Sequence, residues 1–148
     1  MQIHTVSTAD IPMLHQLLAQ LSHDLGDTHA ASLDALTAAA PNWRGLLAME
    51  GQMPMGALLA SPLFSTTRGG TGLYISDLWI AEAGRGQGLG ARLLAAALRE
   101  WQPVFVKLSV YTGNARAKEF YTRCGFAHQD ETNMILHGAA LDHLKGRR

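Results

Sequence analysis

The chain has 148 residues, a length at which one domain buries a substantial core. Its apolar fraction of 47% and charged fraction of 16% indicate a globular protein, and no apolar run approaches the roughly 20 residues that span a bilayer. Twelve basic and twelve acidic residues cancel, which excludes a global attraction to nucleic acid or to an anionic membrane. A single cysteine excludes an intrachain disulfide and a cysteine-based zinc site. Because the first residues lack a secretory signal, we expect one cytoplasmic domain over residues 1–148.

The first predicted elements are a strand and two helices. Residues 2–6 alternate apolar and polar, which predicts a strand. Residues 11–25 carry leucine or isoleucine every three to four positions, which predicts a helix, and Ser7 and Asp10 have the spacing of a capping box before it. Residues 30–40 predict a second, shorter helix.

Three strands are predicted next. The apolar runs 44–50 and 53–63 flank Gly51 and Gln52, which predicts a hairpin. Residues 64–72 are polar and glycine-rich and predict a loop, and residues 73–80 predict a third strand of this group.

The remaining elements alternate helix and strand. Residues 89–101 and 115–123 predict helices, residues 104–111 a strand, and residues 126–129 and 133–137 two closing strands. The predicted order is β α α β β β α β α β β. This order predicts an α/β (α+β) domain with a mostly antiparallel central sheet of six or seven strands and about four helices.

A glycine loop between a strand and a helix predicts an anion site. Arg85-Gly86-Gln87-Gly88-Leu89-Gly90 follows the strand 73–80 and opens the helix 89–101. The first N–H groups of a helix lack internal partners and lie at its positive end, and glycines let a pyrophosphate approach them closely. Two alternatives remain open from this motif alone: a dinucleotide-binding fingerprint through Ala91, and glycines that only serve a tight turn.

A second motif lies about 24 residues downstream and changes the interpretation. The sequence Asn114-Ala115-Arg116-Ala117-Lys118-Glu119-Phe120-Tyr121-Thr122-Arg123-Cys124-Gly125-Phe126 contains the pattern Asn-x-x-Ala-x-x-Phe-Tyr-x-x-x-Gly-Phe. Together with Arg85-x-x-Gly88-x-Gly90, it resembles the GNAT superfamily of acyl-CoA-dependent N-acyltransferases. The predicted element order matches that fold over nearly the whole chain.

The resemblance implies acetyl-CoA as co-substrate and no metal. The loop backbone would cradle the coenzyme pyrophosphate, and main-chain groups of the strand would pair with the pantetheine arm as an added strand does. Asn114 would contact the coenzyme arm, although an N-cap role suits it equally. The cofactor residues implied are Leu78, Trp79, Ile80, Arg85, Gly86, Gln87, Gly88, Leu89, Gly90, Asn114, Ala117, Phe120 and Tyr121.

Tyr121 is the residue that the resemblance implies as the acid. The thiolate leaving group needs a proton or a hydrogen bond, and a phenol of pKa about 10 supplies either. The alternative is a core aromatic beside Phe120. Cys124, close to it in sequence, is interpreted as a small buried hydrophobe.

The group that takes the amine proton is less defined. Residues 64–78 are similar to the loop and strand of spermidine/spermine (diamine) acetyltransferases, but Ile75-Ser76-Asp77 replaces their Leu-Glu-Asp, so their glutamate is missing. Asp77 is the first candidate for base or acceptor contact, and Glu82 is the alternative. Ser76 and Asp77 face opposite sides of a regular strand, so only one reaches the acceptor unless a bulge intervenes. Tyr74, Ser76 and Asp77 are the predicted acceptor-binding residues of this strand.

The segment 22–29 follows the first predicted helix and holds two histidines and two aspartates. Three interpretations remain open: an acceptor contact in which Asp24 or Asp27 attracts a cationic amine, a metal site, and a plain surface loop.

We therefore predict an N-acetyltransferase that acts by direct attack of a primary amine, most simply that of a small molecule, in a ternary complex. Backbone N–H groups near Ile80 would hold the oxyanion. The alternatives are a protein lysine or N-terminal acetyltransferase and a non-catalytic acyl-CoA-sensing module. The predicted partners are the acceptor amine and a second copy in a homodimer, with no nucleic acid and no membrane.

Overall fold

A computed structural model describes all 148 residues. The chain divides into two compact units, Met1–Tyr111 and Thr112–Arg148. None of the helices combines the length and the apolar character that crossing a bilayer requires.

The first unit contains one sheet and three helices. In chain order its elements are β1 Gln2–Thr5, α1 Ile11–Leu25, α2 Leu33–Ala38, β2 Arg44–Glu50, β3 Met53–Ser65, β4 Gly70–Ile80, α3 Leu89–Trp101 and β5 Val106–Leu108. The strands lie in the order β1-β2-β3-β4-β5, with three antiparallel pairings and a final parallel pairing of β4 with β5. The predicted mixed, mostly antiparallel sheet is confirmed.

The apolar face of α1 builds the core on one side of the sheet. Its period of three to four residues buries Ile11, Leu14, Leu17 and Leu18, which pack with Leu36 of α2 and with Leu47, Ala57 and Trp79 of the sheet. Each such leucine contributes about 1.5–3 kcal/mol through burial. The predicted capping residues flank the short turn Thr8–Asp10 that leads into α1, where the Asp10 carboxylate accepts from the Ser7 N–H at 2.9 Å.

Helix α3 buries its own apolar stripe, Leu89, Leu93, Leu94 and Ala97, and contacts β2, β3 and β4. Its predicted bounds agree with the structure. Because this helix follows β4 directly, it holds the glycine loop at the end of that strand.

The predicted loop 64–72 is mostly strand, since β3 runs to Ser65 and β4 begins at Gly70. The two strands pair with each other through this polar stretch. Their hydrogen bonds stabilise the strands although the polar, glycine-rich composition favours a loop. At Gly72 only glycine fits, because a Cβ there would lie 2.5 Å from the ring of Phe105. Helix α2 begins later than predicted because Ser32 caps it, accepting from the Ala35 N–H at 3.0 Å.

The second unit contains two helices, α4 Ala115–Arg123 and α5 Gly138–Lys145. The predicted closing strands 126–129 and 133–137 are wrong, so the sheet has five strands and not six or seven. Apolar residues make a strand only where a neighbouring backbone pairs with them, and Met134 and Ile135 are 92% and 84% exposed. Helix α5 was not predicted. Cys124 is exposed, so its interpretation as a buried hydrophobe is also wrong.

Candidate active site

The second half of β4 has one open edge. Strand β3 pairs with β4 along its length, whereas β5 pairs only with Leu73, Tyr74 and Ile75. Beyond Ile75, β5 offers no partner to the N–H and C=O groups on its side of β4. This edge includes Leu78, Trp79 and Ile80, and its backbone can hydrogen-bond an extended ligand as an added strand does.

A β-bulge lies where this open edge begins. Asp77 is paired with Leu59, and Ile75 is paired with the next residue of β3, so Ser76 has no partner across the pair. Ser76 is exposed and its hydroxyl donates to the Leu59 carbonyl at 3.3 Å. Asp77 is half-buried opposite Leu59, which packs against the core under α1. The bulge therefore removes the strict alternation that would place Ser76 and Asp77 on opposite faces.

The carboxyl of Asp77 has an unusual environment for an acid. Burial raises its pKa above the ordinary value, and this effect exceeds the opposing effects of the neighbouring Ser76 hydroxyl and of the His29 ring. A carboxylate that is poorly solvated binds a proton more strongly. Asp77 is therefore suited to accept one.

The glycine loop fits an anion such as the coenzyme pyrophosphate. Gly86 and Gly88 adopt φ of 77° and 75°, a left-handed conformation that favours glycine. A Cβ at either position would meet no atom within 4 Å, so the loop presents its backbone to open space. Gly88 is the N-cap of α3, which leaves the first N–H groups of that helix unpartnered. Gln87 braces the loop by donating to the Ala83 carbonyl at 3.0 Å.

The side chain of Arg85 braces the end of β4. Its Nε donates to the Ile80 carbonyl at 3.1 Å, and its Nη2 donates to Asp24 Oδ2 at 3.2 Å. Any contact of Arg85 with the pyrophosphate would thus come from its backbone, as the resemblance implies.

Asp24 joins α1 to this strand end. Besides Arg85, its carboxylate accepts from Gln20 Nε2 at 2.9 Å and from Trp79 Nε1 at 3.2 Å. The Gln20 hydrogen bond chiefly holds the pKa of Asp24 below its usual value, with further contributions from Trp79 and Arg85. The structure gives Asp24 a bracing role, and its contact with an acceptor stays a prediction.

Asp27 forms a hydrogen bond with Tyr111, a residue that no sequence pattern had indicated. The Tyr111 hydroxyl lies 2.7 Å from both carboxylate oxygens of Asp27, and this hydrogen bond raises the pKa of Tyr111. The two residues are 84 positions apart, and no sequence pattern pairs them. This hydrogen bond connects the loop after α1 to the segment that follows β5.

Of the other predicted acceptor contacts, the Tyr74 hydroxyl donates to Ser109 Oγ at 3.2 Å, so it joins β4 to the segment after β5. Glu82, the alternative base, is exposed in a short turn. No group of three or more His, Cys, Asp or Glu side chains is arranged to hold a metal ion. A cavity of about 220 Å³ includes Trp43 and Trp101 in its lining, but none of the predicted site residues.

The second unit holds the Asn114 motif. Asn114 is the N-cap of α4, with its Oδ1 accepting from the Ala117 N–H at 3.1 Å. The Tyr121 ring packs edge-on against Phe120 and Phe126, with centroid distances of 5.1 and 5.4 Å. Burial raises the pKa of Tyr121 to about 12, so its hydroxyl remains protonated at neutral pH and can donate.

Comparisons with solved structures find the same fold. An integron cassette protein from the mobile metagenome of V. cholerae is 19% identical, with a TM-score of 0.77 over 99% of this chain and 98% of its own. An aminoglycoside acetyltransferase from an uncultured soil metagenomic sample, solved with sisomicin, is 16% identical with a TM-score of 0.77, covering 93% and 95%. An aminoglycoside N-acetyltransferase solved with CoA is 14% identical with a TM-score of 0.74, covering 92% and 93%.

Among curated proteins, no sequence match is found. Residues 12–126 match the acetyltransferase (GNAT) family. This match covers both motifs and well over half of the chain. The protein therefore belongs to the GNAT family and is an acetyltransferase.

Proposed function

We propose that this enzyme transfers the acetyl group of acetyl-CoA to a primary amine of a small molecule by direct attack in a ternary complex. The observation that carries the proposal is the half-buried Asp77 at a bulge where the open edge of β4 begins. One surface thus offers a proton acceptor next to backbone that can bind an extended ligand.

Binding and orientation come from the backbone. When bound, acetyl-CoA supplies an activated acetyl thioester. The N–H groups at Gly86, Gly88 and the start of α3 would hold its pyrophosphate. The unpaired edge at Leu78 and Ile80 would orient the pantetheine arm, and its N–H groups would polarise the carbonyl.

Asp77 would take the proton that the acceptor amine must lose before it attacks. An ammonium group has no lone pair, so the nucleophile exists only after this transfer. The raised pKa of Asp77 increases its proton affinity, and its negative charge attracts the cationic acceptor.

Tyr121 would act on the sulfur that leaves. Its pKa of about 12 lies about three units above that of an ordinary thiol. A phenol that holds its proton this firmly is suited to donate a hydrogen bond to the thiolate while keeping that proton. We infer that Tyr121 stabilises the thiolate by donating a hydrogen bond.

Two acids support a cationic acceptor. Asp77 lies on the open strand, and Asp27 lies in the loop after α1, where it is exposed apart from its bond to Tyr111. Two structural neighbours are named as aminoglycoside acetyltransferases, one solved with sisomicin. Both polyamines and aminoglycosides are therefore acceptors to test, and the likeness to the spermidine/spermine branch stays a prediction.

The test measures thiol release from acetyl-CoA with a panel of polyamines, aminoglycosides and a lysine peptide, for the wild type and Tyr121→Phe. We expect release with a small amine, and a decrease in kcat of at least about tenfold in the variant, because the thiolate loses its donor. Acetyl-CoA should still raise the melting temperature of both proteins.

Three other outcomes would change the assignment. Release with the peptide alone would indicate a protein acetyltransferase. Binding of acetyl-CoA without release on any amine would indicate a sensing module. Unchanged kcat in Tyr121→Phe would remove Tyr121 from the chemistry.

A further inference from the structure

The carboxylate of Asp24, at the end of α1, binds two side chains from the end of β4 and from the turn after it. Its Oδ2 accepts from Trp79 Nε1 and from Arg85 Nη2, each at 3.2 Å, and its Oδ1 accepts from Gln20 Nε2 at 2.9 Å. Trp79 is only 8% exposed and packs in the core under α1, whereas the Arg85 side chain is 43% exposed. A long, solvated side chain is thus held by a carboxylate that the buried indole also binds.

Arg85 in turn caps one backbone group of the open edge of β4. Alternate residues of an antiparallel strand direct their N–H and C=O groups to the same neighbour. The Ala81 N–H donates to the Met55 carbonyl at 2.9 Å, and the register of β3 against β4 is regular at this point. The backbone groups of Leu78 and Ile80 therefore point away from β3, to the open edge. There, Arg85 Nε donates to the Ile80 carbonyl at 3.1 Å.

This cap determines which backbone groups of the edge a ligand meets. Because Arg85 occupies the Ile80 carbonyl, the Ile80 N–H and both backbone groups of Leu78 remain for an extended ligand. Ile80 lies between the open edge and the glycine loop, where the pantetheine arm would join the pyrophosphate. If the Arg85 side chain left the carbonyl, the strand end would be less ordered, and ordering it again would weaken ligand binding.

We propose that Asp24 is a positioning residue of the coenzyme site: it holds the Arg85 side chain on the Ile80 carbonyl and so fixes the end of the strand edge that binds the pantetheine arm. This inference rests on the proposed function, in which that edge orients the arm. Asp24 acts through the side chains that it binds and not by touching the acceptor amine.

Two variants of similar size separate the hydrogen bonds of Asp24 from its packing. Asp24→Asn keeps an oxygen that accepts from Trp79 and Arg85, and Gln20 can turn its amide to accept from the new NH₂ group. Asp24→Leu fills the same space and accepts nothing. In a calorimetric titration, acetyl-CoA should bind Asp24→Leu about tenfold more weakly than wild type, and Asp24→Asn within about threefold. Unchanged affinity in Asp24→Leu, or equal losses in both variants, would overturn the proposal.

A fragment of the coenzyme shows which part of the ligand depends on Asp24. The compound 3′-phospho-ADP is coenzyme A without its pantetheine arm. Since Asp24 fixes the strand edge, Asp24→Leu should bind this fragment within about threefold of wild type. A loss of affinity for the fragment as large as that for acetyl-CoA would assign the effect to the glycine loop and overturn the proposal.

Steady-state kinetics separates positioning from contact with the acceptor. Asp24→Leu should raise the KM for acetyl-CoA about tenfold and leave kcat and the KM for the amine within about threefold of wild type. A raised KM for the amine with an unchanged KM for acetyl-CoA would make Asp24 an acceptor contact and overturn the proposal.

A double variant tests whether Asp24 acts through Arg85. Arg85→Met should also weaken acetyl-CoA binding, and the protein that carries both Asp24→Leu and Arg85→Met should bind no more weakly than either single variant. Losses that add in the double variant would overturn the proposal.

The outcomes separate this inference from the function on which it rests. A wild type that binds no acetyl-CoA ends the proposed function, and the role of Asp24 with it. A wild type that acetylates an amine, while Asp24→Leu keeps the wild-type affinity for acetyl-CoA, ends only the role of Asp24. If Asp24→Leu does not fold, equal binding of acetyl-CoA by Arg85→Met and wild type would still overturn the proposal.

Discussion

Asp77 lowers the stability of the folded chain at neutral pH. A carboxyl whose folded pKa is raised favours folding when it is protonated, below the unfolded value of about 3.9. As the pH rises through the raised folded value, the carboxyl must ionise in a poorly solvated position. An ionised carboxylate that lowers the stability of the fold is typical of a functional site.

Asp77→Asn should therefore separate stability from activity. We expect the melting temperature at pH 7 to rise by on the order of 2 °C, because the amide needs no charge solvation, and the gain to vanish near pH 3. The rate of amine acetylation should fall about a hundredfold, since the proton acceptor is lost. Calorimetry at both pH values and the thiol-release assay measure the two effects.

Asp130→Asn is the matched control, because Asp130 is exposed in the segment between α4 and α5. It should change neither quantity. An Asp77→Asn protein that melts lower than wild type at pH 7, or that keeps full activity, would contradict the assignment.

At the scale of elements, the glycine loop depends on backbone conformation. Gly86→Ala should lower the free energy of unfolding by about 1 kcal/mol, because φ of 77° is unfavourable for a residue with a Cβ. It should also weaken acetyl-CoA binding in a titration, because a change of φ at position 86 alters the loop backbone that is proposed to bind the pyrophosphate.

Gly113→Ala is the control for this change. Gly113 has open space at its Cβ and is not among the glycines with positive φ. Alanine there should leave stability and binding near wild type. If Gly86→Ala and Gly113→Ala bind acetyl-CoA equally well, the conformation of the glycine loop does not contribute to coenzyme binding.

The ion pair between Arg85 and Asp24 connects α1 to the end of β4, and its contribution to the free energy of unfolding should depend on pH. Arg85→Met removes an ion pair whose side chains are 43% and 30% exposed, so solvent screens it and the expected loss at pH 7 is at most about 1 kcal/mol. Because the pKa of Asp24 is lowered, its contribution is present above the unfolded value of about 3.9 and disappears as the pH falls. Urea unfolding at pH 7 and pH 3 should thus show a smaller difference from wild type at pH 3.

Arg92→Met, on the exposed face of α3, should show little difference at either pH. If Arg85→Met lowers the free energy of unfolding equally at pH 7 and pH 3, the ion pair with Asp24 does not contribute, and the stabilisation comes from the hydrogen bond of Arg85 to Ile80.

At the scale of the whole molecule, exposed apolar residues favour self-association. Met134, Ile135 and Leu136 follow one another and are 92%, 84% and 48% exposed, and the net charge of zero provides no repulsion between copies. We expect light scattering to give twice the chain mass of 16.0 kDa, and Ile135→Lys to shift the mass toward one chain. A wild type at the mass of one chain would contradict the homodimer.

Local patterns determined a large part of this protein. The bounds of α1, α3 and α4 follow from apolar spacing and capping residues, because a helix forms its hydrogen bonds within four positions. The glycine loop and the Asn114 cap are also local, since φ and a side chain bonding three residues ahead do not need distant partners. The family follows from these same segments, and residues 12–126 confirm it.

Only the tertiary structure decided which distant groups meet. Asp24 binds Trp79 and Arg85 across 55 and 61 positions, and the bulge at Ser76 depends on the register of β3 against β4. The closing strands failed for the same reason, because residues 126–137 have apolar side chains but no strand beside them. A strand is stable only through hydrogen bonds to another segment, and a chain's own pattern does not state which segment that is.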